Sequence, residues 1–218
     1  MKSICTMAAV LAISGCVSTK TTALRDDAQA TTAGKTLVVS SRKRPDFAAM
    51  TAGKAGFGMI GAFAMISAGN KIVADHHLED PAIYIGHELG KALAAERQLQ
   101  ILEMPAIVAD GTDVRKLAGV YRQADLLLDI QTVNWSFGYF ATDWNNYRVI
   151  YSAKLRLIET RTGKLLAEGF CSRVPEKEAS SPSYEQLMAD DAAVLKAELQ
   201  HGAETCVSQL KSKVFALS

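Results

Sequence analysis

A surplus of charge of either sign is missing from this chain of 218 residues, in which 24 Lys and Arg stand against 23 Asp and Glu. Without a basic excess there is no long-range pull toward a polyanion, so nucleic acid is not an expected partner. No apolar run approaches the roughly 20 residues that a spanning helix requires, which excludes a multispan membrane protein. Catalytic signatures are absent as well: there is no Gly-x-Ser-x-Gly elbow, no Walker loop and no Rossmann fingerprint. The four histidines do not assemble a metal site on paper. His87-Glu88 would need a second His one helical turn on, where Lys91 stands, and the adjacent His76 and His77 point apart on any regular element. No cofactor and no metal are therefore expected. What remains, 49% apolar and 22% charged residues, is average for one globular domain.

Met1-Lys2 is followed by an apolar run from Ile4 to Ile13 that is too short for a stable anchor and reads as a signal peptide. The run ends in Ile13-Ser14-Gly15-Cys16, which resembles the bacterial lipobox. That resemblance implies removal of residues 1–15 and acylation of Cys16, and two or more acyl chains hold a protein firmly on a bilayer where one does not. Processing takes away Lys2, so the mature chain of 203 residues carries 23 basic and 23 acidic side chains. Lipid rather than charge must then place it at the membrane. Residue 17 is Val rather than the Asp that retains lipoproteins in the inner membrane of enteric bacteria, so the expected address is the outer membrane, facing the periplasm.

Of the four cysteines, Cys5 leaves with the signal and Cys16 is acylated. Cys171 and Cys206 remain, and an oxidising periplasm favours a disulfide between them over two separate buried thiols. Closing a loop of about 36 residues would contribute roughly 4 kcal/mol in the chain-entropy view.

Residues 16–35 are rich in Thr, Ala and Asp and read as a flexible tether. The domain is expected from 36 to 218. Leu37, Val38 and Val39 suit a short buried strand, and the basic patch Arg42-Lys43-Arg44 reads as its solvated end. Asp80-Pro81 opens a helix whose Ile85, Leu89 and Leu93 form one stripe as far as about Gln98. A strand interrupted by Pro105 and a short helix with Val114, Leu117 and Tyr121 follow. Leu126 to Phe137, Tyr147 to Leu157 and Leu165 to Val174, punctuated by Thr162-Gly163, predict three successive antiparallel strands. Ser183 and Gln186 form a capping-box pattern before a helix whose stripe runs Met188, Ala192, Leu195, Leu199, Gly202, Cys206 and Leu210. On the preceding strand Cys171 shares a face with Leu165, Ala167 and Gly169. The fold class is α/β: a mixed sheet with a C-terminal three-strand meander, packed by helices that include a long C-terminal one.

Two segments are candidates for contact with a partner or a membrane. Residues 52–69 form a Gly/Ala-rich insert whose sole charge is Lys54, with Phe57, Ile60, Gly61 and Phe63 among its contact candidates. As a helix it is too short to span a bilayer, and its small residues suit close packing in the core, against another subunit or at a lipid surface. The second segment holds Trp135, Phe137, Tyr139, Phe140, Trp144, Tyr147 and Tyr151, seven of the chain's fifteen aromatics. Cross-strand pairs in a hairpin explain most of them, but Tyr139, Phe140 and Trp144 fall around a turn, where a partner, glycan or lipid headgroup could be met.

Taken together, the lipobox, the helix from Pro81 to Gln98 and the run Ala124-Asp125-Leu126-Leu127-Leu128-Asp129-Ile130 before the Thr162-Gly163 hairpin resemble the curli secretion-pore subunit and the N-terminal domain of the Tol-Pal translocation protein. The resemblance spans about residues 36 to 215. It implies a non-enzymatic envelope component that works by assembly, with itself or with an envelope protein. The alternatives are a periplasmic glycan-binding module using the aromatic hairpin, and a hydrolase, for which no constellation is present.

Overall fold

The apolar run Leu126–Leu128 with Ile130 opens strand β6 (Leu126–Phe140), and the main sheet is arranged around it. The computed structural model describes residues 20–25, 32–55, 58–103 and 108–217. The signal peptide, Cys16 and Phe57 lie outside the described residues. β6 pairs antiparallel with β7 (Asp143–Glu159), which pairs antiparallel with β8 (Lys164–Arg173), as the alternation predicts. On the other side of β6 lie two parallel neighbours. β1 (Thr36–Val39) pairs with its first residues and β3 (Ala48–Met50) with Ser136 to Gly138 further along. The main sheet runs β4-β1-β6-β7-β8, where β4 is Gln100–Ile101. β2 (Ser41–Arg42) pairs separately with β5 (Val108–Ala109). The strand expected from Ile101 to Val108 is thus two short pieces in two different sheets.

One face of the sheet carries the main core. Against it pack α2 (Gly58–Asp75), which follows the short α1 (Ala52–Ala55), then α3 (Pro81–Arg97) and α5 (Tyr184–Leu210). Asp80 caps α3 by accepting from the Ala82 N–H at 3.0 Å, and Pro81 takes the first position, where its missing N–H costs nothing. α4 (Val114–Val120) covers Leu127, Ile158 and Val38 on the opposite face. Among the described residues no helix is long and apolar enough to cross a membrane.

Cys171 and Cys206 are joined, with their Cα atoms 5.2 Å apart and both side chains buried. Gly202 makes room for α5 on the sheet, since a Cβ there would stand 3.1 Å from the Tyr151 Cβ.

Four expectations are corrected. A register shift between Leu157 and Ile158 pairs Leu165 with Ile158 rather than leaving it in phase with Ala167 and Cys171, so Leu165 turns away from the core. α5 is interrupted: Ala189 leaves the helical region and Asp190, Asp191 and Ala192 are left-handed, at φ 51°, 57° and 57°. That break resets the helical phase, and Leu187, not Met188, is the buried residue of the first turn. Arg42 is no solvated strand end, because its side chain is ion-paired inside the domain. The tether is shorter than 16–35: Thr22 forms an antiparallel bridge with Glu168 on β8, and Leu24 is buried with its N–H on the Val214 carbonyl.

Candidate functional site

α2 divides into two halves. Its second half is built into the domain: Gly69 is buried so close to β3 that a Cβ would overlap the Phe47 carbonyl, and Ile72 and Val73 belong to the core. The Asn70 side chain accepts from the Phe47 N–H at 3.0 Å and donates to Asp46 at 2.7 Å. Among the described residues nothing covers one face of the first half. Met59, Ile60 and Phe63 are 80%, 78% and 70% exposed, at a spacing that places them side by side on the helix. Gly61 is buried, so of the contact candidates in this segment Ile60 and Phe63 lie on the free face and Gly61 does not.

The aromatic segment is mostly core. Trp135, Phe137, Phe140, Tyr147 and Tyr151 are buried; Phe47 packs edge-on to Trp135 with ring centroids 5.0 Å apart. Phe140 lies under the Arg148 guanidinium at 5.3 Å and keeps no face for a partner, which corrects its candidacy. Tyr139 is half-buried, and only Trp144 stands out, 65% exposed with Tyr139 at its edge. Asp143 fixes this turn. It accepts from the Lys177 ammonium at 2.8 Å, the Asn146 amide at 2.7 Å and the Asn145 N–H, which together hold its carboxyl at about 2. Of the aromatic segment, the Trp144 indole is thus the side chain left exposed for a partner, glycan or lipid headgroup.

Two polar networks were not singled out in the sequence. Asp129, fully buried on the α4 face, receives Arg156 Nη2 at 2.7 Å, Arg42 Nε at 2.6 Å and the Ser40 hydroxyl at 2.8 Å. Burial alone would raise its pKa, but the Arg42 hydrogen bond and charge, with Arg156 and Ser40, hold the carboxyl below its ordinary value. Arg42 and Arg156 also donate to the carbonyls of Gly111 and Thr112, so the knot ties the 110–112 turn to the sheet. Its signal was a lone carboxylate within an apolar strand. The second network runs from Asp80 to Thr132, whose hydroxyl donates at 2.5 Å, and on to Tyr151, whose hydroxyl donates to Thr132 at 2.9 Å. Burial raises the Asp80 pKa against the pull of Thr132, Ala82 and Arg44.

Asp80 borders a cleft of about 300 Å³ with His77, Tyr84, Lys196 and Gln200. His76, the neighbour of His77, is committed to Asp191 at 2.7 Å, and Lys196 binds the same carboxylate at 2.6 Å; these hold Asp191 at about 2. His87 is exposed and faces Glu88 at 3.1 Å. Among the described residues no group of three His, Cys, Asp or Glu side chains comes together to hold a metal ion. No nucleophile with a partnered base lines the cleft.

No protein-family model matches the chain, and no curated protein matches it. Solved structures do. Lipoprotein GNA1162 of Neisseria meningitidis is 17% identical over 75% of this chain and 97% of its own, at a TM-score of 0.33. The PelC dodecamer of Paraburkholderia phytofirmans is 11% identical over 90% and 97%, at 0.39. The LpoB C-terminal domain of Salmonella enterica is 15% identical over 66% and 84%, at 0.31. The chain is similar to these three structures only distantly. The narrower likeness to the curli secretion pore and the Tol-Pal translocation domain has no family model behind it.

Proposed function

We propose that this chain is a non-enzymatic lipoprotein of the bacterial outer membrane, anchored through Cys16 and facing the periplasm, that works by surface contact within the envelope. The observation that carries the reading is the free face of α2: a helix fixed to the core by its second half presents Met59, Ile60 and Phe63 outward. Singly exposed apolar residues are ordinary, but three adjacent ones on a segment with one charge in eighteen residues form a contact surface. In this reading the signal peptide is 1–15, the domain follows a short link from Cys16, and the contact residues are Ile60, Phe63 and Trp144.

Palmitate labelling of cells making the wild type and Cys16→Ala, followed by density separation of the membranes, tests the anchor. Label in the outer-membrane fraction, lost in the variant with retention of uncleaved precursor, is the expected result. A Cys16→Ala protein that is still cleaved and membrane-bound would overturn the anchor. Ile60→Asp with Phe63→Asp in the same cells tests the contact, which should be lost without loss of folded protein.

A further inference from the structure

We propose that what covers the free face of α2 is the bilayer surface itself, and that Trp144 meets the same surface. The inference rests on the anchored reading above and names the occupant of that contact face.

Three features converge on one end of the sheet. β6 runs toward the turn at 141–142, and Trp144 stands immediately beyond that turn. β3 runs parallel to β6 and so carries the chain toward the turn, and α2, which follows it, meets Phe47 at the start of β3 through Gly69. The eleven residues before Gly69, about 16 Å of helix, therefore lie toward the β6–β7 turn. β8 runs in the same direction as β6, and Thr22 pairs with it antiparallel, so Lys20 and Thr21 enter from the turn end too. The entry of the chain at Lys20, the apolar face of α2 and the exposed indole share that end.

Chain length turns this shared direction into a contact. Thr22, Glu168, Arg156 and Asp129 form one row across the sheet. From Thr22 back to Cys16 is six residues, a reach of at most about 20 Å. From Asp129 to Phe140, β6 extends about 36 Å toward the turn. The tether is the shorter of the two, so a bilayer that faces the turn end and holds Cys16 must meet that end, and the domain leans on it. Met59, Ile60 and Phe63 then enter the headgroup boundary as the apolar side of an interfacial helix, and Trp144 takes the interfacial position that indoles favour. A second copy is the weaker occupant. Three side chains offer on the order of 500 Å², short of the roughly 800 Å² per partner of a stable interface.

The experiment uses the acylated full-length product, purified from membranes and reconstituted into vesicles of phosphatidylethanolamine with a minority of phosphatidylglycerol, with and without bromine on the acyl chains. The chain has two tryptophans, and Trp135 is 1% exposed, so the signal of Trp144 is isolated by difference from Trp144→Phe. Brominated lipid should quench roughly half of the Trp144 emission. Ile60→Asp with Phe63→Asp should restore most of it at an unchanged melting temperature. Protein that floats with vesicles while Trp144 stays unquenched refutes the lipid contact and leaves the anchor standing. Protein that does not float refutes the anchor and the contact with it. Cross-linking of Ile60→Cys between two copies in the vesicles, with Trp144 unquenched, assigns the face to a second copy and also refutes the proposal.

Discussion

Asp129 and Arg156 face each other across β6 and β7, both buried, with the Arg156 Nη2 2.7 Å from the Asp129 carboxylate. Arg42 supplies a second cation to the same carboxylate, so one buried anion is shared by two guanidinium groups. Removing the centre of such a knot leaves more uncompensated charge than removing one arm.

Asp129→Leu should therefore cost more than Arg156→Leu, the former about 3–5 kcal/mol or enough to prevent folding. Urea denaturation of the two variants measures the order, and equal losses would show that the knot is not centred on Asp129. The pH dependence has a definite sign. The folded carboxyl titrates below its unfolded value of 3.8, so its contribution is complete above that value and is lost as the pH falls from 3.8 through the lowered folded value.

Asp80 has the opposite sign. Its pKa is raised in the folded domain, so the ionised form costs stability once the pH passes above the unfolded value of 3.8 and through the raised one. Asn caps a helix as well as Asp does and can still accept from Ala82 and Thr132. Asp80→Asn should leave stability at pH 7 unchanged or higher, whereas Asp80→Ala should lose about 1 kcal/mol with the cap. A large loss in Asp80→Asn, read by thermal melting at pH 7, would show that the charge itself is required.

Segment 52–69 should behave as two pieces. Gly69→Ala forces a Cβ into the Phe47 carbonyl and is expected to destabilise the domain by about 1–3 kcal/mol. Ile60→Asp, on the uncovered face, should change stability by no more than about 0.5 kcal/mol. If the two variants melt alike, the division of α2 into a docked and a free half is wrong.

The disulfide between Cys171 and Cys206 ties α5 to β8. Replacing both by Ala should lower stability by about 2–5 kcal/mol. The comparison is made by denaturant titration of oxidised wild type, reduced wild type and the double variant. Reduced wild type and the double variant should both fall below oxidised wild type, and the difference between those two measures the packing of the buried sulfur atoms apart from their bond.

Much of the scaffold was legible from short-range chemistry. The period-two pattern through Tyr147, Val149, Tyr151 and Ala153 specified β7, the Asp80-Pro81 cap and the Ile85, Leu89, Leu93 stripe specified α3, and Ser183 with Gln186 specified the start of α5. Each signal is contained within a few residues, where backbone sterics and side-chain spacing act before any long-range contact forms. The Cys171–Cys206 pair was legible for the same reason, since each cysteine's face followed from its own element's period.

Only the tertiary structure decided what depends on a partner far along the chain. Leu165 and Ile60 are both apolar, yet a one-residue register shift turns Leu165 away from the core and the end of the docked half of α2 leaves Ile60 uncovered. Hydrophobicity states what a residue gains from burial, not whether another element arrives to bury it. Arg42 reads as a solvated strand end until Asp129, 87 residues away in sequence, is seen to receive it. Thr22 belongs to a polar stretch that local composition calls a tether, and a free strand edge on β8 makes it part of the domain. The sequence by itself determined the β6–β8 meander, α3 and the start of α5, and it carries the expectation of a lipid anchor, because those rest on local spacing and composition; the tertiary structure decided which apolar face went unburied and which charges were taken inside, because packing is a property of pairs.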